Sequence, residues 1–517
     1  MARKNEKGVA LILVLILLLV LSVMAVSLLF VGQSETWASM NYRMMTQARY
    51  GAEAGINSAA NFLQSTSYTA PTSAQITANF TTTTSPVKYG QLPAVLSANS
   101  SLGSSNYPIS SDTSGFASNA SGSITSGNTT ITYSPYAKLL AIQSFTSYPS
   151  TAPAVVEKWE ITSDGTISGV RNAQVRASAV MERQKTPTFA YAAFATASGC
   201  ASLSFGGGGT TNSYDSSTLT TSGGVAAPPS SFSTYGGNVG TNGNLNESGA
   251  TTTINGSLST PRSGTGTCST STVTAVTTNG NATVTGGITE LPQAVTYNTP
   301  PAPTPTPTNT PMTVANNVDC TAFPPGCTVG GYDKNGNNPS IMYLTAGTSS
   351  TSALQLGAVT VQGNLHLVPP AGTAAGATVY INAYSIGTNG NASITIDPIP
   401  GTSPPQYAQI VLNVAAAGNI DLTGSSLSNP SLVPADFQIL YAGTNQVTVN
   451  GGSGAAALIY APNAGFKLNG GGDLYGSVIA GTVLDLGGGA IHYDRELKVR
   501  FYQLGNYMLS AFNWQKY

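Results

Sequence analysis

With 517 residues the chain has room for more than one domain, but only 8% of it is charged and its net charge is −1. Such a chain has no basic footprint for nucleic acid. Disorder is also disfavoured, because it goes with low hydrophobicity and high charge, whereas 41% of this chain is hydrophobic.

The chain opens on a short head carrying Arg3, Lys4 and Lys7 against a single Glu6. From Val9 to Val31 there is no charge, and the only polar side chains are Ser22 and Ser27. As a helix this run is about 34 Å long, enough to cross a ~30 Å hydrocarbon core. A basic head in front of an apolar helix keeps the N-terminus cytoplasmic, so everything after Val31 is exported. A cleavable signal peptide has a shorter core, ~7–15 residues, with a small-x-small site behind it. No such site follows here (Val31-Gly32-Gln33-Ser34), so the helix is kept. Helical character continues to Leu63, with Trp37, Met40, Met44, Ala48, Ala52 and Ile56 recurring every third or fourth residue and no proline before Pro71.

Lys7-Gly8-Val9-Ala10-Leu11, the apolar run, and Gln47-Ala48-Arg49-Tyr50-Gly51-Ala52-Glu53-Ala54-Gly55 together resemble the leader and N-terminal helix of type IV pilins. Within that group they are most similar to the PilX-type minor pilins, whose Ala-Glu-Ala-Gly signature falls on Ala52, Glu53, Ala54 and Gly55. The resemblance covers about the first 60 residues. It implies a leader over 1–8, cleavage by a prepilin peptidase between Gly8 and Val9, and methylation of the new N-terminus. It also implies that a helix over 9–63, with 9–31 in the inner membrane, packs with other pilins through Val9, Ala10, Leu11 and their neighbours. Most pilins carry a glutamate at the fifth position after the cut, where it pairs with a neighbour's terminal amine; here that position is Leu13. Pilins lacking it include the GspK-type pseudopilins, which resemble tip subunits. A tip subunit has no neighbour ahead of it, and an unpaired carboxylate in apolar surroundings costs several kcal/mol.

Beyond the helix, residues 64–153 are rich in Ser, Thr, Ala and Asn with little periodicity and are expected to be irregular. Alternation over Val156–Ile161 and Val170–Met181, with Asp164-Gly165 as the turn, predicts a hairpin over 154–186 that packs on the helix. A β-rich region follows over 187–299. Pro300 to Pro311 then alternate Pro and Thr and predict an extended polyproline linker or surface excursion over 300–316, which interrupts the β region without requiring separate cores on its two sides. In the C-terminal 317–517 stretch, Gln446–Gly452, Phe466–Gly472 and Val483–Gly489 are three copies of a short strand closed by a glycine turn, with looser copies at Val359–Gly363 and Ile420–Gly424. A period near 20 residues means stacked rungs, since one rung cannot bury its apolar face alone. The expected fold class is mainly β with a long N-terminal helix. The exported part is expected to be a parallel β-helix, an antiparallel β-sandwich being the alternative, and Tyr502–Trp514 to be helical and to cap the last rung. Tyr460–Ala464 and Ile491–Asp494 also resemble a C-terminal β-domain found behind PilX-type helices.

Four cysteines lie in the exported part, without Cys-x-x-Cys spacing. An oxidising compartment favours disulfides. Cys320 and Cys327 bracket six residues and pair, leaving Cys200 with Cys268; free thiols are the alternative. No zinc, phosphate-loop or Ser-His-Asp pattern is present, so neither cofactor, metal nor catalysis is expected. Asp473, Asp485, Asp494, Lys467 and Arg495 are unevenly spaced in the rungs, His366 and His492 stand apart, and Asp333–Asn338 resembles a calcium loop but lacks its closing acid, Leu344 standing there. The expected function is a minor pilin or pseudopilin-like subunit at the tip or in initiation. Its exported domain would be periplasmic or extracellular on a pilus, and its uncharged surface would meet a surface or glycan ligand. A membrane-tethered adhesin that never enters a filament is the alternative.

Overall fold

The computed structural model describes residues 6–127, 129–150, 152–168, 172–249, 251–331, 339–452 and 454–516. Its first element, helix α1, runs unbroken from Glu6 to Gln64, 59 residues and about 88 Å. The chain divides into two units. The first is Met1–Thr146, Ala152–Thr186 and Leu504–Tyr517; the second is Ser147–Thr151 and Pro187–Gln503. The second is thus an insertion between two strands that are neighbours in the sheet of the first.

That sheet is antiparallel, in the order Tyr502–Lys516, Ala173–Pro187, Pro153–Ile167, Thr129–Thr146, Val95–Ser97, with Gly122–Ser126 also on Thr129–Thr146. The C-terminal half of α1 lies on it. Ile56, Phe62, Leu63, Phe116, Trp159 and Met181 are among the side chains buried between them. Three expectations are corrected here. Residues 64–153 are not irregular: among the described residues they hold helices α2 (Ser73–Asn79) and α3 (Ser110–Asn119), five short strands and the 18-residue strand Thr129–Thr146. Their apolar anchors, Tyr68, Ile76, Phe80, Leu96, Tyr107 and Phe116, are scattered in sequence and acquire a pattern only against α1 and the sheet. Asp164-Gly165 is not the turn but lies within the strand Pro153–Ile167. Tyr502–Lys516 is a strand on the edge of this sheet rather than a helical cap, because Tyr507 and Leu509 turn into the core while Met508, Phe512 and Trp514 face out, a period of two.

In the second unit nearly all strand pairs are parallel. Among the described residues the antiparallel strand pairs are Thr221–Ser222 with Val225–Ala226 and Cys327–Gly330 with Ile341–Thr345. The three glycine-closed copies stack directly: Val447 pairs Phe466, and Phe466 pairs Val483. One inward column continues through the unit as Met312, Val359, Ile386, Ile420, Val447, Phe466, Val483, Leu203, Leu245 and Val276. Glycine closes the copies because the turns touch: a Cβ on Gly472 would overlap the carbonyl of Gly451.

The column is out of chain order. The first pass (Ala193–Ala195, Leu203–Phe205, Thr210–Tyr214) lies between the second (Val239–Thr241, Leu245–Ser248, Thr253–Ile254) and the last (Leu474–Asp485, Ala490–Asp494). The chain therefore builds outward from the middle, crosses to the far end, and builds back. The Pro/Thr segment makes the crossing and is no free linker. It is pinned along the ladder: Asn242 exchanges two hydrogen bonds of 2.8 Å with Val295, Tyr460 donates to the Asn298 carbonyl (2.7 Å), and Asn413 and Asn382 donate to the carbonyls of Pro301 and Thr304 (both 3.3 Å). At about 3.1 Å per residue the run from Val295 to Thr304 covers about 28 Å, which matches about six strand spacings of ~4.8 Å. Proline suits such a strap because it offers no N–H that would go unpaired. Residues on both sides of it share one core, so 187–299 and 317–503 are a single unit.

Candidate functional site

The site of interest is α1, and its two halves differ. From Val9 to Val31 every large apolar side chain is exposed, Leu13 at 63%, with a mean hydropathy of 3.4 over the most apolar window. The two polar side chains of this run satisfy themselves: Ser22 Oγ donates to the Leu19 carbonyl and Ser27 Oγ to that of Val23, both at 2.8 Å. In lipid, where water cannot serve a hydroxyl, this is the arrangement a spanning helix needs. The helix is long and apolar enough to cross a membrane and fits membrane anchoring. Gly8 and Val9 lie within the continuous helix, as do Ala10 and Leu11.

The second half carries the signature, and its role there is packing. Ala48, Gly51, Ala52 and Gly55 recur every three or four residues and make a flat stripe against the strand Pro153–Ile167. A Cβ on Gly55 would strike Ser163 Oγ, one on Gly51 would strike Ile131, and one on Gly165 would strike the backbone of Ala48 and Ala52. Helix and strand backbones thus touch with no side chain between them. Glu53 turns away from this contact and pairs with Arg49 (2.8 Å), whose guanidinium lies 3.5 Å over the Trp514 ring. Ala54 is half-buried. Sequence reading found the signature but missed Gly165, because Asp-Gly in a strand pattern gives the same signal for a turn as for close approach.

Beneath the stripe, buried acids are partnered. Arg176 makes two hydrogen bonds to Asp164 (2.7 and 2.9 Å), and Asn99 adds a third (3.0 Å). Tyr68 and the Trp159 indole donate to Glu157 at 2.7 and 3.3 Å, and Tyr68 also bonds Tyr107 at 2.9 Å. Burial pushes Glu157 up to about 7, against the pull of those two donors.

In the second unit, Cys200–Cys268 and Cys320–Cys327 are disulfide-bonded, each with Cα atoms 5.7 Å apart. The polar residues singled out in the rungs do not converge. Asp485 is wholly buried and inward-facing; burial pushes it up to about 7 against the pull of the Gly489 and Gly487 backbone, and no side chain donates to its oxygens. Glu247, which sequence reading missed, faces the same interior two strands away across Phe205, is without a partner, and is pushed up to about 7 by burial. Asp494 accepts from the backbone N–H of Ser216 (3.0 Å), and Arg495 donates to Ser233 (2.9 Å). His492 stacks on Phe232 with ring centroids 3.8 Å apart, bonds Asn212 (2.6 Å) and lies 3.5 Å from Asp473; His366 pairs with Asp397 (2.7 Å). Asp333–Asn338 falls outside the described residues. Among the described residues, no three His, Cys, Asp or Glu side chains are placed to hold a metal ion.

Two family models match the chain: the PilX N-terminal model at residues 7–57 and a domain of unknown function (DUF7305) at residues 357–500. The comparison with curated proteins finds no match. Among solved structures, the chain is similar to the competence-associated pilin ComZ from Thermus thermophilus, at 12% identity over 92% of this chain and 98% of that one, with a TM-score of 0.25. A score that low leaves most of the two chains unsuperposed.

Proposed function

We propose that the chain, whose residues 7–57 match the PilX N-terminal model and whose residues 357–500 match a domain of unknown function, is a pilin-like protein of a type IV pilus and, within it, a minor pilin acting at the tip or in initiation of assembly. The observation that carries this reading is the division of α1: one half is wholly exposed and apolar, the other is held on a sheet by a stripe of small residues. The first half is built for an apolar environment outside its own chain, first the inner membrane and then the helices of other pilins. The second half fixes the angle at which the folded part leaves that environment.

On this reading a prepilin peptidase cuts between Gly8 and Val9 and the new amine is methylated. Leu13 then stands where most pilins carry a carboxylate, which suits a subunit with no neighbour ahead of it. The second unit is a parallel β-helix carried outward as an adhesive domain, and no catalysis is assigned to it. The N-terminal sequence of the mature protein, with and without the peptidase, tests the reading. A chain that begins at methylated Val9 only when the peptidase is present supports it. An intact Met1 or Ala2 start leaves a tethered adhesin, and a start beyond Val31 removes the filament role.

A further inference from the structure

One concavity in the second unit belongs to none of the features above. It is a cleft of about 520 Å³, within the ~300–1,000 Å³ range of small-molecule sites. Three excursions from the ladder form it. The segment after Tyr214 is tied down where Tyr214 donates to the Leu432 carbonyl (2.8 Å) and the Ala226 N–H to that of Pro430 (2.7 Å). The loop carrying Pro404, Pro405 and Tyr407 is joined to it where Tyr407 donates to the Gly224 carbonyl (2.9 Å). The third, around Ser431, Val433 and Asp436, is braced by Ser431 donating to Asp436 (2.7 Å) and by Asn429 donating to the Val433 carbonyl (2.9 Å). The walls are thus held in place before any ligand arrives, which limits the ordering cost of binding.

Two kinds of surface meet in the cleft. Leu219, the proline pair and the Tyr407 ring give flat apolar faces. Between them stand the hydroxyl of Thr221, the amide of Gln406, a buried acceptor in Asp436, and the exposed guanidinium of Arg500. Burial pushes Asp436 up to about 6, so near neutrality it is ionised and accepts hydrogen bonds. One anion and one cation leave no net charge for an ionic ligand to answer. A ligand with apolar ring faces, a rim of hydroxyls and no charge satisfies every group named.

We infer that this cleft binds a neutral saccharide, one or two sugar rings of a surface glycan. The rings stack on Tyr407 and the prolines, and their hydroxyls donate to Asp436 and accept from Arg500 and Gln406. The inference rests on the adhesive reading of the second unit, whose ligand class it names, and not on where the chain sits in a filament.

The test uses the full chain in detergent micelles and fluorescein-labelled maltotetraose, cellotetraose and chitotetraose, read by polarisation. At least one is expected to bind. Arg500→Ala, an exposed position, is expected to weaken that binding about tenfold, the loss of one charge-assisted hydrogen bond, with the unfolding temperature unchanged. Gln406→Ala is expected to weaken it by a smaller factor. Failure of all three sugars to bind overturns the inference, as does binding indifferent to both substitutions, or capture of a labelled Ser/Gly peptide in their place. Sugar binding by a chain that immunogold labelling never finds on pili upholds the cleft and defeats the tip role alone.

Discussion

The first unit buries Asp164 and Glu157 under side-chain donors, and the second buries Asp485 and Glu247 with none. Asp164 lies under α1 with a guanidinium and an amide on its oxygens, and Glu157 has a phenol and an indole. Asp485 and Glu247 stand in a ladder column whose other members include Val449, Leu468 and Phe205; no side chain there donates to them, and the Gly489 and Gly487 backbone only partly offsets the burial of Asp485. The difference follows from how each unit is made. An antiparallel sheet sets unlike residues opposite one another, as with Asp164 and Arg176. A parallel stack sets like turn against like turn, so an acid placed in a column meets whatever the repeat puts there, and the repeat is apolar. Burial without a side-chain donor pushes a carboxylate toward its neutral form.

The largest effect comes from filling the contact that the partnered acids surround. Gly165→Val would drive a branched side chain into the backbone of Ala48 and Ala52. The expected cost is more than about 4 kcal/mol, in the range reserved for overpacking and backbone collision. Amide exchange of the first unit would rise, while Leu474–Asp485 in the second would keep its protection; equal loss in both would mean the stripe is not a local contact. Removing a partner ranks next. Arg176→Ala leaves the Asp164 carboxylate buried, and a cost of about 3–5 kcal/mol is expected in denaturant unfolding of the first unit.

In the second unit it is the acid itself, not its partner, whose removal is expected to matter. Asp485 titrates at about 7 in the fold against an ordinary 3.8, and Glu247 at about 7 against 4.5. The fold favours their protonated forms, so their contribution is greatest below the unfolded values, falls as pH rises from about 4 to about 7, and is flat above. For Asp485 the fall is on the order of 4 kcal/mol. Protection of Leu474–Asp485 against exchange, corrected for the intrinsic rate, would drop across that window. Asp485→Leu, which extends the column in the manner of Leu468, is expected to stabilise the unit at pH 7 by about 2 kcal/mol and to flatten the profile. A profile unchanged by Asp485→Leu would show that the Gly489 and Gly487 backbone holds the acid ionised in the fold.

These positions also mark how far the sequence could be read. The membrane half of α1 was legible because an unbroken apolar run has few alternatives, and the three glycine-closed copies because they repeat. The stacking order was not, since Leu203 meets Val483 from the other end of the unit and no periodicity links them. The strap read as a linker because proline composition says what a segment cannot pair with, not what it lies on. The segment 64–153 read as irregular because strands of two or three residues, as at Phe80–Thr81 and Lys88–Tyr89, are too short to show a period. Asp485 was visible as an acid in a strand, but its inward direction depends on register. A shift of one residue would have turned it to solvent.

The smallest expected effect tests whether partnered charge in the first unit matters once it is exposed. Arg49 pairs with Glu53 and lies over Trp514, but the Arg49 side chain is 40% exposed and the Trp514 ring is half exposed. An exposed helix pair contributes a few tenths of a kcal/mol and an exposed cation–π contact about 0.5–1. Arg49→Ala should therefore lower stability by less than about 1 kcal/mol, and half-molar salt should erase most of the ion-pair share. Arg49→Lys should recover the pair with Glu53 but little of the stacking, because an ammonium lacks the planar face. A loss near that of Arg176→Ala would mean that the signature's Glu53 and the C-terminal strand form one buried unit, and the contrast between partnered and unpartnered acids would then begin at the helix surface, not beneath it.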